Sequence, residues 1–295
     1  EMNNESLLSK GFDVLNHMVM TMVIVIMTLP FYYLIVNSIT PDTIILKHGY
    51  AMIPKIISFE AYYLIFAASN TLLNAFGITL FITIVGTLLN LAVTFFFSYS
   101  LSRRELPGRK GMMVYLIISM MFSGGLIPWA IVIKNCGLIN SIWVYILPSL
   151  MNPFYVILAR NFFMDISESL HDAAVIDGAN EFRILMSIIL PVSKPIIATV
   201  ALFYAVDNWN KWYEALLFIN KQELFSLQYI LYQLLNKVNS LQSAAVQKSG
   251  QPSMMLSSES LKFATVVVTT VPIMLVYPFL QKHFIKGIMV GSVKG

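Results

Sequence analysis

The chain has 295 residues, of which 57% are hydrophobic and only 12% charged, with a formal net charge of +4 and a mean hydropathy of +0.73. Soluble domains carry about 25% charged residues, so the composition excludes a soluble globular fold and points to an integral membrane protein. A single cysteine, Cys136, excludes an internal disulfide and a Cys-rich metal site, and the four histidines (His17, His48, His171, His283) lack ligand spacing.

A helix of about 20 apolar residues crosses the hydrocarbon, and a spanning segment must satisfy its own backbone hydrogen bonds. Six runs reach that length: residues 15–36, 75–101, 112–133, 141–164, 195–218 and 261–284. The predicted fold is therefore all-α, one transmembrane domain over residues 1–295 with six membrane helices. The first run lacks a basic leader and a small-residue cleavage site, so it reads as a retained span.

Residues 37–74 follow, with Pro41, Gly49, Pro54 and Tyr62-Tyr63, and have room for a short amphipathic helix. After the second span, residues 102–111 set Arg103, Arg104, Arg109 and Lys110 against Glu105 alone, and Lys282, Lys286 and Lys294 mark the C-terminal end. Short connections rich in Lys and Arg stay inside, which gives an N-in, C-in topology. In the third and fourth spans, Ser123-Gly124-Gly125, Pro128 and Asn152-Pro153 free backbone groups, either to line a pathway or to kink a packed helix.

The most charged run, residues 165–191, then falls on the inner side. Asp165 can cap a helix with Glu168 completing a capping box, Asp177-Gly178 ends it, and Asn180 caps a second helix that Pro191 stops. The fifth span carries Asp207, Asn208, Trp209, Asn210, Lys211, Trp212, Tyr213 and Glu214. On one helix, Asp207, Asn210/Lys211 and Glu214 share a face, with the aromatic rings beside it. Polar groups in a span are costly and face a cavity or a partner; rings and amides together suit a sugar. An aromatic belt with a snorkelling Lys211 is the other reading. Residues 220–260 have an apolar period through Leu235, but Gln228, Gln233, Asn236 and Lys237 make them too polar for a seventh span.

Asp172-Ala173-Ala174-Val175-Ile176-Asp177-Gly178-Ala179, with Leu190-Pro191 downstream, resembles the EAA loop of binding-protein-dependent ABC importer permeases, with Asp172 where Glu is usual. Leu101-Ser102-Arg103, Pro107-Gly108-Arg109, Gly125-Leu126-Ile127-Pro128, Arg160-Asn161-Phe162-Phe163, Trp209 to Leu217 and the closing Lys286 to Gly295 are similar to the carbohydrate branch, the MalG-type subunits of the polysaccharide and lipoprotein subgroup. The resemblance implies the type I ABC importer permease fold, in which loop 165–191 is a cytoplasmic coupling helix hairpin. Asp172, Ala173, Ala174, Asp177, Gly178, Ala179, Glu181, Leu190 and Pro191 would then meet an ATPase subunit. It further implies that tail 285–295, with Gly291, Lys294 and Gly295, reaches the ATPases; the Gly287, Gly291, Gly295 spacing alone equally suits close helix packing.

No phosphate-binding G-x-x-x-x-G-K-[ST] and no hydrolase motif occurs, so the chain is not expected to be an enzyme. No cofactor is expected in it; ATP and Mg would be bound by the partner ATPases. The implied partners are a MalF-type permease, two ATPase subunits, an extracytoplasmic solute-binding protein and the bilayer of the bacterial cytoplasmic membrane, with no nucleic acid. The expected function is half of an alternating-access pathway for a sugar, taken to be an oligosaccharide. A stand-alone secondary transporter is the competing reading, but no inverted repeat is visible.

Overall fold

A computed structural model describes residues 7–67, 70–236 and 259–292. All regular structure among these residues is helical, and the chain divides into two compact units: residues 1–69 with 233–270, and residues 70–232 with 271–295.

The first unit contains α1 (Leu7–Ser38), α2 (Asp42–His48), α3 (Glu60–Ala67) and the start of α12 (Glu259–Ser292). Along α1, Met18, Met22 and Ile26 are exposed, as suits a surface in contact with lipid or another subunit. Order is set at its C-terminal end. The buried Asn37 amide donates to the carbonyls of Tyr33 (2.8 Å) and Ala51 (3.1 Å), and its oxygen accepts the Ala51 N–H at 3.0 Å. Asp42 accepts the Ser260 N–H at 2.7 Å, satisfying a donor that the first turn of α12 leaves open. Edge-to-face packing of Tyr33, Tyr50 and Phe263 closes the unit.

The second unit is built on α4 (Asn70–Ser102), which packs against α7 (Pro153–Met164) and α10 (Lys194–Trp209). Around them lie α5 (Arg109–Met121), α6 (Leu126–Asn135), α8 (Glu168–Ile176), α9 (Glu181–Val192), α11 (Tyr213–Phe218) and helical residues 227–232. At 1.5 Å per residue, α4 is about 50 Å long, more than a hydrocarbon core is thick.

Among the described residues, Phe12–Ser38 and Thr71–Ser102 are long and apolar enough to cross a membrane unbroken. Three other helix pairs reach that length only as bent pairs, and three expected continuous spans are broken. Residues 112–133 belong to α5 and α6, which meet at 116°. Phe122 is extended, and Gly125, at φ +84, turns the chain. Residues 141–164 are 3₁₀ turns at Ile142–Tyr145 and Leu147–Ser149 followed by α7, with a 49° bend. Pro153 does not interrupt a helix there. It opens α7 at a position that needs no N–H donor, while Asn152 accepts the Phe154 N–H at 2.9 Å.

Residues 195–218 divide at Asn210–Trp212, between α10 and α11. The carbonyl of Lys211, outside either helix, accepts the Ser226 hydroxyl at 2.6 Å. Finally, α12 continues to Ser292, so most of the segment expected as a tail is helical, Gly291 included. Lys294 and Gly295 lie outside the described residues.

Candidate functional site

The loop between α7 and α10 is built from local signals. The Asp165 N–H still bonds to the carbonyls of Asn161 and Phe162, so Asp165 ends α7 instead of capping the next helix. The cap position falls to Ser167, and α8 starts at Glu168. At the far end, the Gly178 N–H donates to Val175 O (3.0 Å) and the Ala179 N–H to Ala174 O (2.9 Å), with Gly178 at φ +77. This is a Schellman ending, and its left-handed residue favours glycine. Asn180 then caps α9 by accepting the Arg183 N–H at 2.8 Å. Pro191 does not stop that helix. Leu185–Ile189 widens into a π-turn just ahead of the proline, and the helix continues to Val192 before an 86° bend into α10. The widened turn shifts the carbonyls that the proline ring would otherwise meet.

The base of the loop is continuous with the membrane helices. Ala174, Ile184, Leu185 and Ile189 share one apolar core with Phe95 and Tyr99 of α4, Phe163 of α7, and Ile196 and Val200 of α10. Beside this core, the Tyr99 hydroxyl donates to Glu181 Oε2 at 2.5 Å, and His171 Nε2 lies 3.0 Å from Glu181 Oε1. Arg103 Nη2 is 2.9 Å from His171 Nδ1. A guanidinium only donates, so Nδ1 is the acceptor and Nε2–H points at Glu181. Burial alone would raise the Glu181 pKa. The hydrogen bonds from Tyr99 and His171, and the charge of Arg103, outweigh it and hold that carboxyl below the ordinary carboxylate range. Sequence reasoning singled out Glu181 but not Tyr99, Arg103 or His171, because nothing in the order of residues sets position 103 against position 171.

The tip differs from the base. Ile176 is 85% exposed, and Val175 and Phe182 are also exposed. Asp172, Ala173, Asp177, Gly178, Glu181 and Pro191 are exposed, Ala179 and Leu190 half-buried, and Ala174 buried in the core. A Cβ added at Gly178 meets nothing within 4 Å. Within this chain the glycine is required by its dihedral angle, not by close approach.

The fifth-span residues separate into two groups. Asp207, Asn208 and Lys211 line a cavity of about 380 Å³ with Ser149, Asn152, Tyr204 and Met120. Asn208 is buried and donates to Asn90 Oδ1 (3.0 Å) and Thr87 Oγ1 (3.3 Å), while Asn90 donates to Ser149 O at 2.7 Å. Tyr155 donates to Asp207 at 2.9 Å. Lys211, 8% exposed, donates to Ser149 Oγ at 2.5 Å and to the Tyr145 carbonyl. The aromatic residues lie elsewhere. Trp209 is buried against Phe76, and Trp212 stacks on Tyr232 and meets Tyr213 edge-on. Asn210 accepts from Gln228 at 3.4 Å, and Glu214 is half-buried outside the cavity lining. The break at 210–212 also takes Asp207 and Glu214 off the single helical face expected for them.

Residues 100–290 match the family model of the binding-protein-dependent transport system inner membrane component. The chain belongs to this family. It is 40% identical to protein LplC of Bacillus subtilis (strain 168), across 96% of this chain and 95% of LplC. It is 38% identical to the polygalacturonan/rhamnogalacturonan transport system permease protein YtcP of the same organism, across 96% and 98%. Among solved structures, it matches a chain from the crystal structure of a bacterial ABC transporter involved in the import of the acidic polysaccharide alginate. The TM-score is 0.83 at 27% identity, covering 96% of this chain and all of that one. The protein is thus a transport subunit and not an enzyme, and ATP hydrolysis belongs to a separate partner. Family membership sets the stand-alone carrier reading aside. Permeases of this family are inner-membrane components that work with a second permease, ATPases and a solute-binding protein.

Proposed function

We propose that this permease forms half of the translocation pathway of an oligosaccharide importer, with loop 165–191 seated on one of two ATPase subunits. A MalF-type permease completes the pathway, and a solute-binding protein delivers the sugar outside. We infer that both ends of the chain lie inside, supported by the basic residues 103, 104, 109 and 110 and by Lys282, Lys286 and Lys294. Two relatives support the sugar: YtcP and the arabinooligosaccharides transport system permease protein AraQ of Halalkalibacterium halodurans, 27% identical over 90% of this chain. One observation carries the coupling role: an exposed apolar tip, Val175-Ile176, on a loop whose base shares its core with α4, α7 and α10. An apolar patch in water marks a docking surface. A core shared with three membrane helices makes the loop a stiff lever, so that closure of the ATPases repacks the pathway. ATP and Mg act in the partner subunits; the candidate contacts here are Asp172, Ala173, Asp177, Gly178, Glu181 and Pro191, with Gly291, Lys294 and Gly295 at the C-terminal end.

The test is Gly178→Asp in the complete transporter. A side chain is strained at φ +77, and a new charge is set on the docking face. Uptake should fall by about tenfold or more, equivalent to about 1.4 kcal/mol, while membrane insertion is unchanged. Normal uptake would sink the coupling assignment.

A further inference from the structure

We infer that the cavity between α7 and α10 is a subsite for a sugar carboxylate, with Lys211 as its cation, so that the substrate is an acidic saccharide bearing single negative charges. The inference rests on the oligosaccharide reading and adds the chemical class.

The argument begins with an unmatched charge. Lys211 is 8% exposed, and among the described residues no carboxylate lies within 4 Å of its ammonium. Its two protein partners, the Tyr145 carbonyl and the Ser149 hydroxyl, are neutral. An ammonium has three donors, so one remains for the cavity that Lys211 lines. The carboxylates of Glu214 and Asp207 act on the ammonium through their charge but do not touch it, so it keeps part of a desolvation cost that an anion in direct contact would offset. The nearest candidate counter-charge in the lining, Asp207, instead accepts the Tyr155 hydroxyl.

The rest of the lining suits a sugar. Asp207 offers a carboxylate to ring hydroxyls, and Asn152, Tyr204 and Ser149 add amide and hydroxyl groups, with Met120 and Met151 as apolar surface. A volume of about 380 Å³ lies at the lower end of the range for small-molecule sites, enough for one sugar unit of a longer chain. One cation and one anion on the same wall also select the ligand's charge. A doubly charged phosphate would meet Asp207 as well as Lys211, whereas a carboxylate beside neutral hydroxyls can satisfy both.

The probes are a labelled trigalacturonate and the neutral trigalactoside, bound to the complete transporter in lipid nanodiscs without its solute-binding protein. The wild type should bind trigalacturonate at about millimolar concentration and the neutral trisaccharide about tenfold more weakly. Lys211→Met should abolish the difference, and Lys211→Arg should retain it. Asp207→Asn, at an exposed side chain, costs both probes the same hydroxyl contact but removes the negative charge, so it should widen the preference for trigalacturonate several-fold, and it keeps the test available if Lys211→Met fails to assemble. Equal binding of both probes by the wild type, an unchanged preference in Lys211→Met, or a narrowed preference in Asp207→Asn would each overturn the inference. Uptake is measured in parallel. Saccharide uptake that ignores Lys211 defeats the subsite and leaves the importer standing; no saccharide uptake by an assembled, ATP-hydrolysing complex defeats the oligosaccharide reading itself.

Discussion

Two polar clusters in the second unit solve the same problem in opposite ways. At the base of the loop, Tyr99, Arg103, His171 and Glu181 bring a cation, an anion and two groups that hydrogen-bond them into one closed chain. Between α4, α7 and α10, Asn90, Asn208, Ser149 and Lys211 form an equally connected chain that contains a cation and no bound anion. The first is electrically complete and lies where the loop must not shear against α4. The second is incomplete and faces a cavity. A satisfied network fixes geometry, whereas an unsatisfied charge keeps a place for something that arrives and leaves. One protein needs both, since a lever must hold and a pathway must release.

The largest effect is expected where the mid-span cluster has no slack. A Cβ on Gly86 would sit 3.0 Å from Asn208 Nδ2 and 3.2 Å from its Cγ. Asn208 is only 2% exposed and is held by Asn90 and Thr87, so it cannot swing away. Gly86→Ala should destabilise the subunit by about 1–3 kcal/mol, the usual cost of overpacking, measured as faster thermal inactivation in detergent. Combining it with Asn208→Ser should recover part of the loss, because the two sites are in contact and their effects do not add. Failure of that rescue would mean the clash is not what matters at Gly86.

His171→Ala probes the other cluster. It removes both the acceptor for Arg103 and the donor to Glu181, at a cost of about 2 kcal/mol for hydrogen bonds that involve charged partners. Because the cluster joins the loop to α4, the deficit should appear as ATP hydrolysed without transport, and not as lost insertion. Arg103→Ala should have little further effect in the His171→Ala background, and full additivity would break the chain as drawn. Asn180→Ala, which removes only the α9 cap, should cost about 1 kcal/mol, read as reduced protection of the α9 amides from exchange.

The loop was the more legible of the two regions, for a physical reason. Gly178 and Asn180 act on their own backbone neighbours, so their roles follow from the adjacent residues, and both have the dihedral angle or hydrogen bond expected of them. Asp165 misled because Asp can end a helix as readily as begin one, and α7 holds its N–H. Pro191 misled because a π-turn absorbs a proline that an unbroken α-helix would not. The cavity was partly visible, since Asp207 and Asn208 stand out in an apolar run. Asn152-Pro153 stood out as a candidate pathway-lining break and does line the cavity, whereas Ser149 and Tyr204 look unremarkable alone. The spans were recognisable by composition, but their continuity was not. Ser123-Gly124-Gly125 and residues 207–214 were visible as small or polar interruptions, but a kink, a cavity face and a full helix break share that signature, and only the fold shows that the helices end there.

The smallest effect separates the clusters by pH. Glu181 has its pKa depressed in the folded chain, so its contribution to holding the loop is complete above the ordinary carboxylate pKa of about 4.3. That contribution is lost as pH falls through the lower folded value. Its side chain is 59% exposed, so solvent screening keeps the contribution below about 1 kcal/mol. Amide exchange of α8 and α9 should therefore differ between wild type and Glu181→Gln at neutral pH and converge in acid. A difference that persisted to the lowest pH would remove Glu181's charge from the account and leave the loop held by its apolar core alone. The electrical completeness that distinguishes the base of the loop from the cavity would then carry no mechanical weight.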